Sequence, residues 1–482
     1  MINESVGVQG LAQFISMKIK DGYGIGCMYV TEPSASAARC IETILISCED
    51  VIRAISELPD MSYPSVAASI PSAAIYEREM FESSNVIPLK HPDLRPLRLR
   101  MKGRYPLSKD GEQNGEPFPI PKNGISGEGI FEIPVGPIHA GVIEPGHFRF
   151  SVAGEPVLML RTYMGYAHRG IEKMMETSVK KDHMKLMERV SGDNGIAHSL
   201  AYLQIMESGN EIPIRAKYIR TILAELERIY HHLSGISGIS MDTALAVPAS
   251  KGTSLKERIL RLDHRISGSR FLRNMLRIGG VTKDLSKEEL DDIEKEVMRL
   301  RFDVSDLTEM MIDSASFMDR AETTGTLTND DAVRIRTVGP AARASGVDND
   351  VRKHHPYEAY GMVGMKVPIY TTGDVYARLK VKRDEIIESI SIVTQCINYM
   401  EEGPIVSDIV TDDGFRMGMT ESPRGELIHC ANIVDGNIWR YKIRDPSFPN
   451  WVALENAILG NIVPDFPLVN KSFDLSYSGN DL

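Results

Sequence analysis

Apolar residues recur at three- and four-residue intervals through much of the chain and gather into short runs near its start. The clearest helical stretch is Arg215 to Leu233, where Ile219, Ile222, Leu223, Leu226, Tyr230 and Leu233 share one face. The same spacing predicts helices at about 255–279, 286–318 and 378–401. Phe148 to Leu160, with Gly154 near its middle, predicts two strands joined by a turn. Nearer the start, Gly24 to Val30 reads as a strand. Ser34 to Leu58 reads as a helix with Ile41, Ile44, Leu45 and Cys48 on one face, and Val66 to Pro71 as a short strand ended by its proline. Residues 102–129 are rich in Lys, Gly, Pro, Asp and Asn, which breaks both periods and predicts a linker. The expected fold class is α+β, with a small α/β unit at 1–101, the linker, and a mostly helical unit with small strand elements at 130–482.

A chain of 482 residues suits two or three such units, and 42% hydrophobic with 25% charged residues is ordinary globular composition. No apolar run approaches the roughly 20 residues of a membrane helix, and the N-terminus lacks a basic-then-apolar leader, so neither spanning nor export is expected. A net charge of −11 argues against nucleic acid as a partner. The five cysteines, Cys27, Cys40, Cys48, Cys396 and Cys430, form no Cys-x-x-Cys pair and suit a reducing compartment. The 24 methionines read as adaptable core filling. Gly22-Tyr23-Gly24-Ile25-Gly26 does not open a helix in the dinucleotide-binding manner, which excludes direct NAD binding by that motif.

Two sets of motifs carry a family resemblance. Glu77-Arg78-Glu79-Met80-Phe81-Glu82 followed by His91-Pro92-Asp93-Leu94-Arg95-Pro96-Leu97 resembles the signature of the small soluble (30 kDa-type) subunit of respiratory complex I, with its usual glycine replaced around Ser84 and Asn85. In the second unit five blocks occur in order. They are Gly136-Pro137-Ile138-His139 with Glu144-Pro145-Gly146-His147, Gly165 to Lys173, Glu225-Leu226-Glu227-Arg228, Gly339 to Gly346 with Asp350-Val351-Arg352, and Pro423-Arg424-Gly425-Glu426. Together they resemble the large subunit of membrane-bound energy-converting nickel–iron hydrogenases and the 49 kDa-type subunit of complex I. Both units in one chain resemble the fused large subunits of formate hydrogenlyase-type complexes.

The departures from that family are as informative. The resemblance places its four metal-binding cysteines at Ser191, Asn194, Ser476 and Gly479, and none is a thiol. A nickel–iron centre needs soft thiolate ligands, so no metal is expected on this chain. The chain ends at Leu482, three residues past Gly479, and the C-terminal trimming of hydrogenases is not expected. Complex I has a quinone-capping tyrosine where this chain has Ile196.

The resemblance implies an oxidoreductase subunit lying peripherally on the cytoplasmic side of the cell membrane. It would be held by complex I-like membrane subunits and paired with a small iron–sulphur subunit that bears a 4Fe–4S cluster. Together they would form an acceptor cavity, for a quinone or another small oxidant, coupled to ion translocation. A silent scaffold and a genuine hydrogenase are the alternatives. His139, Glu144, His147 and His198 are the candidate acceptor-site or proton-relay residues, because imidazole and buried carboxyl groups titrate near neutrality. Asp193, Asn194 and Arg343 are candidates to bind the ligand; Arg343 reads equally as half of a buried ion pair, and Asp193 and Asn194 as space left by the metal. His168 and Arg169 read as structural partners of Glu172, while His183, His231-His232 and Lys353-His354-His355 read as solvated faces.

Overall fold

The structure, a computed structural model, describes residues 1–32, 38–99, 101–102, 105–109, 116–117, 125, 127–140 and 143–482. Most of the expected linker at 102–129 lies outside these residues. At the N-terminal end a four-stranded sheet runs in the order Ile2–Ser5, Val51–Glu57, Cys40–Ile46, Gly24–Thr31. Its first pair is parallel and the other two are antiparallel. The helix expected over Ser34 to Leu58 is therefore corrected to two strands, with 33–37 outside the description. Cys40–Ile46 is buried along almost its whole length, so its apolar residues form a continuous run that a helical template also fits. Val66 to Pro71 is not a strand; the pairing segment is Ser62–Pro64, and Pro71 opens a 3₁₀ turn.

In the larger unit, the long helices Ile214–Asp242, Ala246–Ser267, Lys287–Ile312 and Val375–Tyr399 enclose the main apolar core. The helix expected to reach 279 stops at Ser267, where Gly268 takes the left-handed conformation that ends a helix cheaply. The stretch 286–318 divides in two: Lys287–Ile312 begins on a capping box made by Ser286 and Glu289, and Ser314 caps a second helix, Ala315–Ala321. The strands His147–Ala153 and Val157–Tyr163 form with the turn between them, joined by Ile130–Val135. A second antiparallel sheet, Gly414–Ser422, Gly425–Val434 and Asn437–Arg444, was not anticipated by the periodicity.

That second sheet positions the site. Helix Gly195–Met206 lies across strand Gly414–Ser422 so closely that a Cβ on Gly418 would sit 1.9 Å from the Ala201 carbonyl oxygen. Its other side packs against the N-terminal sheet. Met419, Ile428, Cys430 and Phe448 share one apolar core with Ile25, Cys27, Ile44 and Tyr76. Arg444 donates to the Gly26 carbonyl at 2.9 Å and Arg440 to that of Val30 at 3.1 Å. Among the described residues, no helix is long and apolar enough to cross a membrane.

Candidate functional site

The loop Glu188–Asn194 and the segment Ser476–Gly479 come together although 285 residues separate Ser191 from Ser476. The Ser191 and Ser476 hydroxyls are 2.8 Å apart, and Ser191 Oγ also donates to Asp193 Oδ1 at 3.1 Å. Ser476 Oγ accepts the Gly479 amide at 2.9 Å, capping the last helix, Tyr477–Asp481. A Cβ on Gly479 would stand 2.5 Å from Asp445 Oδ2. These positions offer hydroxyls, an amide and no side chain at all, and they do not fit a nickel–iron centre. Among the described residues, no three or more His, Cys, Asp or Glu groups are arranged to hold a metal ion.

Asp193 and Asn194 differ in role. Asp193 accepts two hydrogen bonds from Arg424, at 3.0 and 2.9 Å, and lies 3.7 Å from His231 Nε2. Burial opposes its ionisation, but Arg424 and His231 outweigh it and hold the carboxyl well below the usual carboxylate range. Asn194 is fully buried, and neither its oxygen nor its nitrogen has a hydrogen-bond partner. It stands at the start of helix Gly195–Met206 without capping it. Glu227 takes that role, accepting the amides of Ile196 at 2.7 Å and Ala197 at 3.0 Å. Ile196 buries its side chain.

His198 lies at the centre of a buried chain of four groups. Its Nε2 is 3.3 Å from Asp445 Oδ2 and its Nδ1 is 3.0 Å from His429 Nε2, while His429 Nδ1 is 2.8 Å from the Tyr441 hydroxyl. One set of tautomers satisfies all three contacts: Tyr441 donates to His429, His429 to His198, and His198 to Asp445. Burial holds His429 well below its ordinary pKa, consistent with this neutral assignment. His429 was missed from the sequence. It shares a face with Gly425 and Leu427 on a strand that is buried on both sides, so no alternation marks it in the sequence.

The opening loop binds mainly to itself. His139 Nε2 donates to the Gly146 carbonyl at 2.7 Å and His147 Nδ1 to that of Gly136 at 3.2 Å. Glu144 reaches further and accepts the Ser478 amide at 3.1 Å. Glu144, His168, Arg169, Gly192, Arg273 and Ser478 line an open cleft of about 400 Å³. Arg169 fastens its walls, donating to the carbonyls of Arg189, Val190 and Ser478.

Several expectations are corrected. His168 and Arg169 do not pair with Glu172: His168 Nδ1 donates to the Asp481 carbonyl at 2.7 Å, and Glu172 pairs with Arg440 and Lys442. Arg343 takes the second of its two readings, a fully buried ion-pair partner held by Glu385 at 2.6 Å, Glu421 at 2.8 Å and Asp350 at 3.6 Å. His183, His231 and His232 are buried, not solvated. His232 Nε2 lies 2.8 Å from Glu385, and His231 lies between Asp193 and Asp474.

In this architecture the loop Glu188–Asn194 and the segment Ser476–Gly479 meet as a polar hydrogen-bonded pair. The family model for the respiratory-chain NADH dehydrogenase 49 Kd subunit matches residues 242–412 and 407–481, and that for the 30 Kd subunit matches residues 28–117. The chain is 31% identical to formate hydrogenlyase subunit 5 of Escherichia coli (strain K12), over 90% of this chain and 79% of that protein. It is also 31% identical to hydrogenase-4 component G of the same organism, over 90% and 78%. It is 29% identical to the C/D subunit of the NADH-quinone oxidoreductase of Phocaeicola vulgatus, over 94% and 91%. The chain belongs to the family of complex I-like and hydrogenase-related large subunits, with the 30 kDa-type domain fused ahead of the 49 kDa-type one. It is an oxidoreductase subunit of the kind that works within a multisubunit complex.

Proposed function

We propose that the cleft beside the lost metal positions is the electron-acceptor site of a membrane-associated complex, receiving electrons from a 4Fe–4S cluster in a partner iron–sulphur subunit and passing them to a quinone-type acceptor. In this reading the subunit is peripheral on the cytoplasmic side, and acceptor reduction is coupled to ion movement through membrane subunits. The supporting observation is the cleft itself, where Glu144, Arg169 and Arg273 surround the backbone of Gly192 and Ser478. A quinone takes up two electrons and two protons to become a quinol. Arg169 and Arg273 place positive charge where an acceptor oxygen gains negative charge on reduction. Glu144 stands at the same wall, exposed and not buried as the sequence implies, where it accepts the Ser478 amide and would hand on protons drawn from solvent. The chain Tyr441–His429–His198–Asp445 runs behind the loop as a continuous buried row of hydrogen bonds.

The test uses the intact complex with its iron–sulphur clusters pre-reduced and followed by electron paramagnetic resonance. Adding a soluble quinone analogue is expected to reoxidise the cluster nearest this subunit rapidly, and Glu144→Gln is expected to slow that reoxidation. A cluster that stays reduced with the analogue, but is oxidised by ferricyanide, would overturn the quinone assignment.

A further inference from the structure

A cavity of about 440 Å³ lies between the two units and shares no lining residue with the cleft at Glu144. Its walls are mostly apolar. Tyr23, Ile25, Ile46 and Ile70 come from the N-terminal unit, and Val333 and Val347 from the larger one. A space of roughly 300–1,000 Å³ with apolar walls and a few polar groups, at a junction of two units, has the form of a small-molecule site. At the mouth the units are clasped together, with His355 Nε2 donating to the Ser47 carbonyl at 2.7 Å.

Arg336 is the polar group most clearly fitted to this space. It ends helix Asn329–Ile335 in the left-handed conformation, φ 65°, which a residue with a side chain seldom adopts. Its side chain takes the room that Gly24 leaves open, because a Cβ on Gly24 would stand 2.1 Å from Arg336 Nε. Two backbone features thus place this cation, yet it is poorly paired. Its Nη2 reaches Glu426 only at 3.2 and 3.5 Å, and Glu426 is already held by Arg444. Arg336 Nε has no partner. Two more buried polar atoms on lining residues also lack one: the hydroxyl of Thr337, a residue 1% exposed, and Asn349 Oδ1. Such orphans are few in a folded protein, and three around one cavity point to a polar group that is brought from outside.

The charges facing the cavity set the sign of that group. The acids Asp350 and Glu426 are buried and held by Arg352 and Arg444. Asp348, the more exposed acid, is engaged by Lys353 at 2.5 Å and His354 at 3.1 Å. Arg334 is paired with Asp331 at 2.6 Å. What is left uncommitted is the positive charge of Arg336.

We propose that this cavity binds a small organic anion, with its acid group on Arg336 and its apolar body between Ile25 and Ile70 on one side and Val333 and Val347 on the other. Because the walls come from both units, an occupant fastens one unit to the other. The site is independent of the acceptor cleft and of whether the acceptor is a quinone.

The test uses the full chain and two dyes. The anion 1-anilinonaphthalene-8-sulfonate fluoresces in apolar surroundings, and N-phenyl-1-naphthylamine offers the same rings without the charge. The anion is expected to saturate at one molecule per chain, to raise the melting temperature, and to bind about tenfold or more tighter than the neutral dye. Arg336→Gln is expected to abolish that preference. Val333→Trp, at a position 58% exposed and therefore tolerant of a larger side chain, is expected to weaken both dyes by crowding the cavity. Circular dichroism identifies the folded variants, and either one alone decides the matter. Equal affinity of the wild type for the two dyes, or wild-type binding of the anion by a folded Arg336→Gln or Val333→Trp chain, would overturn the proposal.

Discussion

Asp193 and Arg424, 231 residues apart in sequence, meet in a two-pronged ion pair that ties the loop Glu188–Asn194 to the turn before strand Gly425–Val434. The planar guanidinium is essential to this geometry, because its third nitrogen also donates to the Asp474 carbonyl at 2.5 Å. Arg424→Lys is therefore expected to destabilise the subunit by about 1–2 kcal/mol, a figure reduced because the Asp193 side chain is 41% exposed. Unfolding of the purified complex in urea checks this. The Asp193 carboxyl is held below its ordinary range, so the pair's contribution is present at neutral pH and is lost as pH falls below about 4.

Returning thiols to the loop is not expected to return the metal. In Ser191→Cys, Asn194→Cys, Ser476→Cys and Gly479→Cys combined, the new side chain at 479 meets Asp445 Oδ2, which His198 and the surrounding polar groups hold in place. Elemental analysis after expression with nickel and the maturation machinery of a hydrogenase is expected to find no stoichiometric nickel. One nickel per chain would show that the loop repacks freely.

Glu227 sets a distinct pH dependence of stability. Its folded pKa, raised to about 8, exceeds its unfolded value of about 4.3, so the folded state binds the extra proton between them. Stability is greatest below the lower value and falls as pH rises towards the upper one, by about 1.4 kcal/mol per pH unit for this group. Chemical denaturation of wild type and Glu227→Gln between pH 5 and 8 is expected to show a shallower decline in the variant.

The Arg343 cluster predicts an all-or-none dependence. Removing the guanidinium in Arg343→Met leaves buried Glu421 without its cation, while Glu385 keeps Arg228 and His232 and Asp350 keeps Arg352. The expected cost is about 3–5 kcal/mol, seen as loss of assembled complex on native gels. Arg343→Met with Glu421→Gln is expected to recover part of it, because the acid left without a cation is neutralised with it.

The helical half of the fold was legible because Ile219, Ile222, Leu226 and Leu233 recur at helical spacing, even though residues 218–233 are buried on every face. Gly24 to Val30 was legible as a strand, but Cys40–Ile46 and Val51–Glu57 were misread: Ile41, Ile44 and Leu45 are all buried, on both faces of one strand, so no alternation survives. The site was legible where the motifs lie. Ser191 and Ser476 could be paired through the resemblance, and the structure places them in contact. His231 and His232 looked solvated because the acids that face them, Asp474 and Glu385, are distant in sequence. No local pattern reveals a partner 153 residues away, as Glu385 is from His232.

The apolar core shared by Ile25, Cys27 and Ile44 with Met419, Ile428 and Cys430 has a consequence for biosynthesis. The N-terminal sheet emerges from the ribosome long before the strands that complete its covering, and until then it presents an oily surface. Fusing the two units in one polypeptide guarantees one copy of each at the moment that surface must be closed. A cell that makes them from separate genes has to match their supply or shield the early piece. A split version of this chain is thus expected to yield soluble protein only when both halves are produced together.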